Sequence, residues 1–431
     1  MSVEPAPRAP VFHPKILTTL KDYSGTQFLA DLMAGLTVAM VALPLSLAIA
    51  IASGAKPGDG LVTAVVAGFL ISALGGSRVQ VGGPTGAFIV VVYSVVANHG
   101  YDGLVIATFM AGVILLIAGF ARAGSLIEYI PESVINGFTL GIGAIIGASQ
   151  LKDFFGLTAE KVPAEFVEKV EVLWAARDSF NIQAFAVALV TLVLIVIFRR
   201  AAPKWPGLVV AVGLTSAAVA LFSLDVETIG SRFGQITASL PMPSIPDLSP
   251  ARLIELLPSA LIIAFLAGVE SLLSAIVADR MIDASHRPNA EIVAQGFANL
   301  GSALFGGMPA TGAIARTATN VQAGGRTPVA GMAHALFILA FMMLAAPLAS
   351  YLAMPALAAV LVLTAWNMAE VHKMKHHVSG RASDTVLYLM TFFLTLFVDL
   401  TVAIGAGVAL GLAIRLRRRN VPPADWETPD R

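Results

Sequence analysis

The sequence of 431 residues contains no cysteine, and only 13% of its residues are Asp, Glu, Lys or Arg. The absence of cysteine excludes disulfide bonds, cysteine-ligated metal sites and thiol chemistry. Soluble globular domains carry roughly 25% charged residues, so this chain does not have the composition of a soluble protein. Its 27 basic and 27 acidic residues balance, which argues against a nucleic-acid partner.

Two further absences concern targeting and catalysis. The N-terminal stretch MSVEPAPRAPVFHP is polar and proline-rich, so it predicts no cleaved signal peptide. The apolar segments contain no His/Glu metal motif and no Ser/His/Asp set, which argues against a membrane enzyme. We therefore expect no catalytic residue, no metal site and no cofactor apart from a co-transported ion.

Apolar residues dominate the chain instead. They make up 57% of it, the mean hydropathy is +0.82, and apolar runs recur that can cross a hydrocarbon core of ~30 Å. The pattern predicts an all-α polytopic membrane protein with fourteen transmembrane segments. These lie near residues 31–53, 60–75, 84–97, 102–121, 131–150, 181–198, 206–223, 256–279, 290–305, 312–322, 328–348, 355–368, 384–397 and 399–415.

Basic residues cluster before the first segment, after the sixth, after the twelfth and after the last. They are Arg8, Lys15, Lys21, Arg199, Arg200, Lys204, Lys373, Lys375, Arg381, Arg415, Arg417, Arg418 and Arg419. Under the positive-inside rule all four clusters face the cytoplasm, which requires an even number of crossings between them. We expect a multi-pass protein of the plasma (inner) membrane with both termini cytoplasmic and the long connections, 151–180 and 224–255, outside.

A short motif occurs twice, as SALGGSRVQVGGPTGA from Ser72 and as SALFGGMPATGA from Ser302. It divides the chain into two repeats of seven segments. Because seven is odd, the two halves enter the membrane from opposite sides, as in the inverted repeats of secondary transporters. The predicted organisation is an N-terminal segment (1–30), a first repeat (31–223), an extracellular loop (224–255), a second repeat (256–415) and a tail (416–431).

Both motifs interrupt apolar sequence with Gly and Pro, so segments three and ten are predicted half-helices of ~14–17 Å. A helix that begins inside the membrane exposes unpaired N–H groups and the positive end of its dipole. Two such ends facing each other favour a small anion, whereas the alternative is a pair of kinks that allow close packing. The expected pocket residues are Thr85, Gly86, Ala87, Gly312, Ala313, Ile314, Ala315 and Arg316, with Leu45 and Ile49 as an apolar wall.

Glu270 lies more than halfway along segment eight, where an unpaired carboxylate is costly. Ser274 follows one turn later on the same helix face. The two residues are the predicted coupling-ion site, for H⁺ or alternatively for Na⁺ with oxygen ligands. Arg316 has two interpretations: it adds charge to the anion pocket, or it neutralises Glu270 in a structural ion pair.

Other polar residues in the apolar segments are expected to be structural. We expect His334 to be a hydrogen-bonded core histidine, and Asp31, Arg78 and Glu128 to be solvated near the membrane interfaces. The HKMKHH cluster at 372–377 has a metal-binding composition, but its lysines favour a solvated basic face.

Four stretches resemble the SulP anion permeases (solute carrier family 26). They are DLMAGLTVAMVALPLSLAIAIASG, GGSRVQVGGPTGA, GVESLLSAIVAD and GGMPATGAIARTATNVQAGGRTPVAG. The resemblance spans residues 30–415. It implies a core domain of segments 1–4 and 8–11, a gate domain of segments 5–7 and 12–14, and an anion held between helices three and ten.

The sequence departs from the family in two places. Leu45 follows Pro44 where many members have Gln, which favours a substrate other than sulfate. Only about sixteen residues follow Arg415, where the family usually has a STAS domain, so the chain is either truncated or naturally lacks that module. Sodium-coupled bicarbonate transporters also resemble the chain at NVQAGGRTP; Thr311 fits their pattern of hydroxyl residues, and Ile314 does not.

The sequence therefore predicts a secondary active transporter of a small anion such as fumarate, bicarbonate or sulfate. Proton-coupled symport with an elevator-like alternating-access mechanism is the first interpretation. A sodium-coupled bicarbonate symporter and an uncoupled anion channel or exchanger are the alternatives. The expected partners are the anion, the lipid bilayer and a second copy of the chain in a homodimer.

Overall fold

The computed structural model describes residues 11–21, 23–124, 131–159, 162–163, 165–202, 206–236, 239–369, 382–398 and 400–417. These residues are mostly helical. The first half contains α1 (Ile16–Thr19), α2 (Gly25–Ala52), α3 (Pro57–Leu74), β1 (Gly82–Gly83), a 3-10 turn (Gly86–Phe88), α4 (Ile89–Phe120), α5 (Glu132–Phe155), α6 (Phe166–Ala175), a second 3-10 turn (Ala176–Ser179), α7 (Ile182–Ala201) and α8 (Gly207–Leu221). The second half contains α9 (Ile229–Phe233), α10 (Pro250–Ile282), α11 (Pro288–Leu304), β2 (Thr311–Gly312), α12 (Ile314–Gln322), α13 (Pro328–Ala349), α14 (Met354–Ala369), α15 (Ala382–Phe397) and α16 (Leu400–Arg417).

Each of the fourteen predicted segments coincides with a helix. Predicted segments three and four both fall in α4, where Gly100 has a non-helical conformation (φ 73°, ψ 174°) and separates them. Seven helices of the described residues are long and apolar enough to cross a membrane, and three shorter helices are also apolar. The structure therefore has the helices of a multi-pass membrane protein, while fourteen crossings and the inversion of the halves stay predictions.

Two features were not predicted from the sequence. The 224–255 segment contains the short helix α9, and α10 already begins at Pro250, a residue type suited to the first helical turn. A two-residue antiparallel ladder between β1 and β2 also interrupts the otherwise helical structure at the two Gly/Pro breaks. The hydropathy pattern reveals neither feature. The helical residues between 224 and 255 are too polar to be recognised as a segment, and the β1–β2 ladder depends on a partner in the other half of the chain.

The helices pack in two groups. In the first group α4 packs mainly on α10 and α11, and α13 packs on α2 and α3. In the second group α5 packs mainly on α14 and α15, and α7 packs on α14 and α8. The division into a core and a gate domain that move relative to each other stays a prediction.

Asp31, near the start of α2, is fully buried rather than solvated as predicted. Its Oδ1 accepts hydrogen bonds from the backbone N–H groups of Arg326 (2.8 Å) and Thr327 (3.3 Å), and its Oδ2 accepts one from Thr327 Oγ1 (2.6 Å). Tyr23 Oη and Gln27 Nε2 add two further bonds. The carboxylate thus joins α2 to the N-terminus of α13, a partnership that local sequence cannot reveal.

We expect Asp31→Ala to destabilise the fold, because five donors lose their acceptor and at least three of them are buried or half-buried. A loss of roughly 3 kcal/mol is in line with unsatisfied buried groups. The measurement is the thermal unfolding midpoint of the purified protein in detergent. Asp102→Ala is the matched control, since Asp102 is exposed; equal midpoints for the two variants would contradict this role of Asp31.

Candidate functional site

The two Gly/Pro breaks meet at the centre of the first helix group. Gly82 pairs with Gly312 and Gly83 pairs with Thr311 across an antiparallel two-residue ladder. Immediately after these strands the chain turns into helix, at Gly86 on one side and at Ile314 on the other. The breaks therefore satisfy part of each other's backbone hydrogen bonding, which unpaired chain inside a membrane requires.

The repeated SAL motif has the same structural role in both halves. Ser72 Oγ donates to the carbonyl of Gln80 (3.2 Å), and Ser302 Oγ donates to the carbonyl of Met308 (2.6 Å). Each serine ends a helix and holds the extended chain that returns into the protein. This equivalence explains physically why the motif occurs twice.

The first turns of the two half-helices follow directly on the paired strands. The amides of Ala313 and Phe88 bond to Val81 and Thr85 carbonyls. The backbone N–H groups in the first turn of each half-helix have no carbonyl earlier in the same helix to bond to, as at any helix start. Ile314 is half-buried and Ala315 is exposed. The start of α12 is therefore open to a ligand.

Arg316 is the one formal cation placed at this crossing by the prediction, and it is only 1% exposed. Its guanidinium donates to Ser46 Oγ (3.1 Å), the Pro84 carbonyl (3.0 Å) and the Gly82 carbonyl (3.4 Å). Among the described residues it forms no ion pair within 4.0 Å. Its partners are neutral oxygens, so its positive charge is not cancelled by direct contact with Glu270.

Glu270 is half-buried, and its Oε2 accepts a hydrogen bond from Thr85 Oγ1 (2.9 Å). This contact ties the carboxyl group of α10 to the start of the half-helix that leads into α4. Ser274 is fully buried and its hydroxyl lies 3.2 Å from Thr317 Oγ1. The two predicted residues therefore have different partners. Glu270 is hydrogen-bonded to Thr85 at the start of the α4 half-helix, and Ser274 is hydrogen-bonded to Thr317 on α12.

Gly86 faces the second helix group. A Cβ atom at this position would lie 3.0 Å from Met368 Sδ and 3.4 Å from Thr364 Cγ2, both on α14, and 4.0 Å from Ile146 Cδ1 on α5. We call the boundary between this face of the α4 half-helix and helices α5 and α14 the seam. Ala87, next along the chain, is half-buried.

Gly312 faces the interior of the first group instead. A Cβ atom there would collide with Gln80 Nε2, which is itself held by Ser271 Oγ (2.7 Å) and Glu291 Oε1 (3.1 Å). A bulky residue at Gly312 is therefore expected to disturb the fold as well as the site. Ala313 beside it is also buried.

The proposed apolar wall is only partly accessible. Leu45 is half-buried and packs against the apolar core, whereas Ile49 is 1% exposed and lies within that core. Of the two residues, Leu45 is thus the one with exposed surface.

Glu291 on α11 is a buried carboxylate that the sequence analysis did not select. Its oxygens accept hydrogen bonds from the side chains of Gln80 (3.1 Å), Ser271 (2.9 Å) and Gln295 (3.0 Å) and from the amides of Gly76 (2.8 Å) and Ser77 (3.2 Å). It fixes the chain that leads into β1. A glutamate within predicted segment nine was the available signal, but its partners Gly76, Ser77 and Gln80 lie more than 200 residues away.

The other polar residues that the sequence analysis named form no ligand site among the described residues. His334 is fully buried, as predicted for a core histidine. Arg78 is half-buried rather than solvated. Glu128 and the 372–377 cluster lie outside the described residues. Within the described ranges no group of three or more His, Asp or Glu residues could hold a metal ion.

The model of the sulfate permease family matches residues 28–391. The chain belongs to this family. The putative sulfate transporter YvdB of Bacillus subtilis is 40% identical over 375 residues, which are 87% of this chain and 71% of that protein. The bicarbonate transporter BicA of Picosynechococcus is 33% identical over 343 residues, 77% of this chain and 60% of BicA.

Solved structures agree with this family membership. The transmembrane domain of a cyanobacterial BicA superposes with a TM-score of 0.80 at 30% identity, covering 89% of this chain and 99% of that domain. Murine solute carrier 26 member A9 superposes with a TM-score of 0.85 at 19% identity, covering 97% of this chain and 74% of that protein. The second likeness concerns the fold alone.

We expect the two glycines at the crossing to differ sharply in what they tolerate. Gly312→Ala places a methyl group against a hydrogen-bonded Gln80 and costs roughly 1–3 kcal/mol or more, as overpacking does. Gly86→Ala meets the flexible end of Met368 and leaves the stability nearly unchanged. Thermal unfolding midpoints and size-exclusion profiles of both variants are the measurement; a stable Gly312→Ala protein would show that the packing around Gln80 is wrong.

Proposed function

We propose that this protein is a secondary active transporter of a small anion. The observation that carries the proposal is the crossing itself, where two half-helix N-termini meet beside the seam and the Arg316 guanidinium is held by neutral oxygens. Amide donors and a cation without a paired carboxylate suit an anion and disfavour a cation. The names of the relatives, sulfate and bicarbonate transporters, support the same ligand class.

We expect the site to accept several small anions, because few groups in it distinguish one anion from another. Backbone amides and one guanidinium respond to negative charge more than to shape, so bicarbonate, sulfate and dicarboxylates such as fumarate all fit. Leu45 offers apolar surface where a Gln side chain would offer a donor, which favours an anion other than sulfate. A nucleobase would need side chains that hydrogen-bond to a ring, and the arginine and the apolar surface of Leu45 fit that need poorly.

Proton coupling through Glu270 is the second part of the proposal. An ionised carboxylate bonded to Thr85 stands beside the amides that attract the anion, so it opposes anion binding by Coulomb repulsion. A protonated Glu270 does not, and anion and proton are therefore expected to bind together.

Sodium coupling has less support from the geometry. Ser274 bonds to Thr317, and Thr311 Oγ1 donates to the Ala267 carbonyl (2.8 Å), so both hydroxyls have partners other than Glu270. Ile314 adds an apolar side chain to the same helix start. Thr85 is the hydroxyl in direct contact with Glu270, and one hydroxyl with one carboxylate is a sparse ligand set for Na⁺.

Alternating access would follow from the position of the site. The crossing belongs to the first helix group and Gly86 faces the second, so sliding of one group past the other would carry the anion along the seam. An uncoupled channel or exchanger is the competing mechanism. Fourteen crossings, cytoplasmic termini, a plasma-membrane location and a homodimer belong to the same proposal.

The function is tested by uptake of labelled bicarbonate, sulfate and fumarate into proteoliposomes under imposed pH or Na⁺ gradients. We expect accumulation of at least one anion by the wild type, and none by Gly86→Leu, whose side chain fills the seam against Met368 and Thr364. Gly213→Leu is the control, because no atom lies within 4 Å of a Cβ there. No uptake of any of these anions by a folded wild-type protein would refute the proposal.

We expect Glu270→Gln to bind the anion but to lose accumulation driven by a proton gradient. Glutamine mimics the protonated carboxyl and cannot release a proton, so it separates binding from coupling. Exchange of internal for external anion is expected to survive, since exchange does not require the empty carrier to return. Uptake by the wild type that follows a Na⁺ gradient at constant pH, and is lost in this variant, would make Glu270 a sodium ligand instead.

We expect Arg316→Gln to weaken binding of divalent sulfate more than binding of monovalent bicarbonate. Glutamine keeps a donor for the Pro84 or Gly82 carbonyl but removes the charge, and Coulomb attraction scales with ligand charge. Dissociation constants of both anions are the measurement, with Ser46→Ala as a control that removes one partner and no charge. Equal losses for both anions would indicate a purely structural arginine.

A further inference from the structure

Lys169 is a buried lysine in a part of the chain that the mechanism above does not use. It lies on α6, in the connection between α5 and α7, and only 3% of its surface is exposed. Its Nζ donates to Ser149 Oγ on α5 (2.8 Å) and lies 5.5 Å from the ring centroid of Tyr93 on α4. One ammonium group therefore contacts α4 and α5, two of the three helices that border the seam.

The contacts place Lys169 on the same seam as Gly86. Tyr93 follows Gly86 by seven residues, which is about two helical turns or roughly 10 Å along the same face. Ser149 follows Ile146 by three residues and shares its face of α5. Ile146 is the α5 residue that a side chain at Gly86 would approach. The ammonium thus lies along the seam, roughly two turns from the crossing.

The charge of Lys169 is poorly compensated. An ammonium has three N–H donors, and among the described residues Ser149 is the one hydrogen-bond acceptor that Nζ reaches. No carboxylate of a described residue lies within 4.0 Å of it. Burial lowers the pKa of Lys169 to about 8, although the charge of Glu165 acts in the opposite direction. A buried cation with one hydrogen bond and one aromatic contact is costly.

We propose that Lys169 is a second anion-binding residue on the transport path, which holds a small inorganic anion or carboxylate at the α6 end of the seam. The inference rests on the proposed function and extends it by one site. In this structure Tyr93 covers the ammonium. Movement of the α4 half-helix away from α5 removes that ring, exposes two N–H donors, and lets an anion from the α6 side bind before it reaches Gly86.

The surroundings of Lys169 make its charge depend on pH. The titratable groups that face it are Tyr93 on α4 and Glu165 just before α6, while α5 presents Ser149 and α15 contributes Phe397 against Phe166. Because the pKa of this lysine is lowered to about 8, the cation is present below that pH and is lost above it. Anion capture from the α6 side should therefore weaken as the pH rises from 7 to 9.

The experiment compares Lys169→Met, Lys169→Arg and Arg177→Met with the wild type in proteoliposomes. Labelled bicarbonate, sulfate and fumarate are the probes, and the one that the wild type transports is used. Arg177 lies on the same connection but is exposed and contacts Trp174, so its variant removes an equal charge away from the seam. The chain has no cysteine, so a single Arg177→Cys label with an impermeant maleimide reports which way the protein is inserted.

For Lys169→Met we expect KM measured from the α6 side to rise about tenfold, the typical effect of a charge-assisted hydrogen bond. The value of kcat should change by less than about twofold, since the site at the crossing is intact. KM from the opposite side should stay unchanged, because the anion then reaches the crossing first. Lys169→Arg should restore KM and should also abolish the rise of KM between pH 7 and 9, because arginine stays charged.

Three outcomes would overturn the proposal. Equal KM changes on both sides, or an unchanged KM in Lys169→Met, would leave Lys169 as a packing residue, and a lowered unfolding midpoint would then be its whole effect. A KM increase of the same size in Arg177→Met would assign the effect to overall charge. A wild type that transports none of the probes would instead refute the proposed function, and the second site with it. The earlier outcomes are seen only with a wild type that transports an anion, so they refute the second site alone.

Discussion

The pairing of β1 with β2 is the contact on which the rest of this site depends. Backbone N–H and C=O groups inside a membrane have no water to bond to, so an interrupted helix needs a partner within the protein. Here the two interruptions serve as partners for each other. Their glycines leave room for neighbouring side chains, because a Cβ at Gly82, Gly83 or Gly312 would collide with Ile71, Arg316 or Gln80 respectively. The helix starts that follow can then face a ligand without exposing bare backbone to lipid.

A second constraint is the charge distribution around that pairing. Arg316 gives its hydrogen bonds to two carbonyl oxygens and a hydroxyl, so it is held in place without being neutralised. The two carboxylates nearby are separated from it in different ways. Glu270 bonds to Thr85 on the seam side, and Glu291 is enclosed by amides and amide side chains deeper in the first helix group. Glu270 thus accepts one hydrogen bond from the described residues and is half-buried, whereas Glu291 is fully buried and accepts five.

The sequence predicted the helices and the crossing well, because both depend on local pattern. Each apolar run predicted as a segment falls on a helix in the structure, and the duplicated SAL motif predicted the positions of the two breaks. What the sequence could not predict has one cause. The surroundings of Asp31, Gly312, Ser274 and Glu291 each depend on a partner distant in sequence, such as Thr327 for Asp31 or Gly76 for Glu291. Composition and spacing indicate that a polar residue is unusual, but only the fold shows what it touches.

The same pairing has a consequence for biosynthesis. β1 and β2 are 228 residues apart at their closest paired positions, Gly83 and Thr311, so contacts of this kind form late and slowly during folding. When the first half has been inserted, the Gly82–Gly83 backbone still lacks its partner and must be shielded by water or by an insertion factor until α10 to α12 arrive. A chain that stalls between the halves therefore exposes unpaired strand edge, the feature that favours aggregation of incomplete membrane proteins.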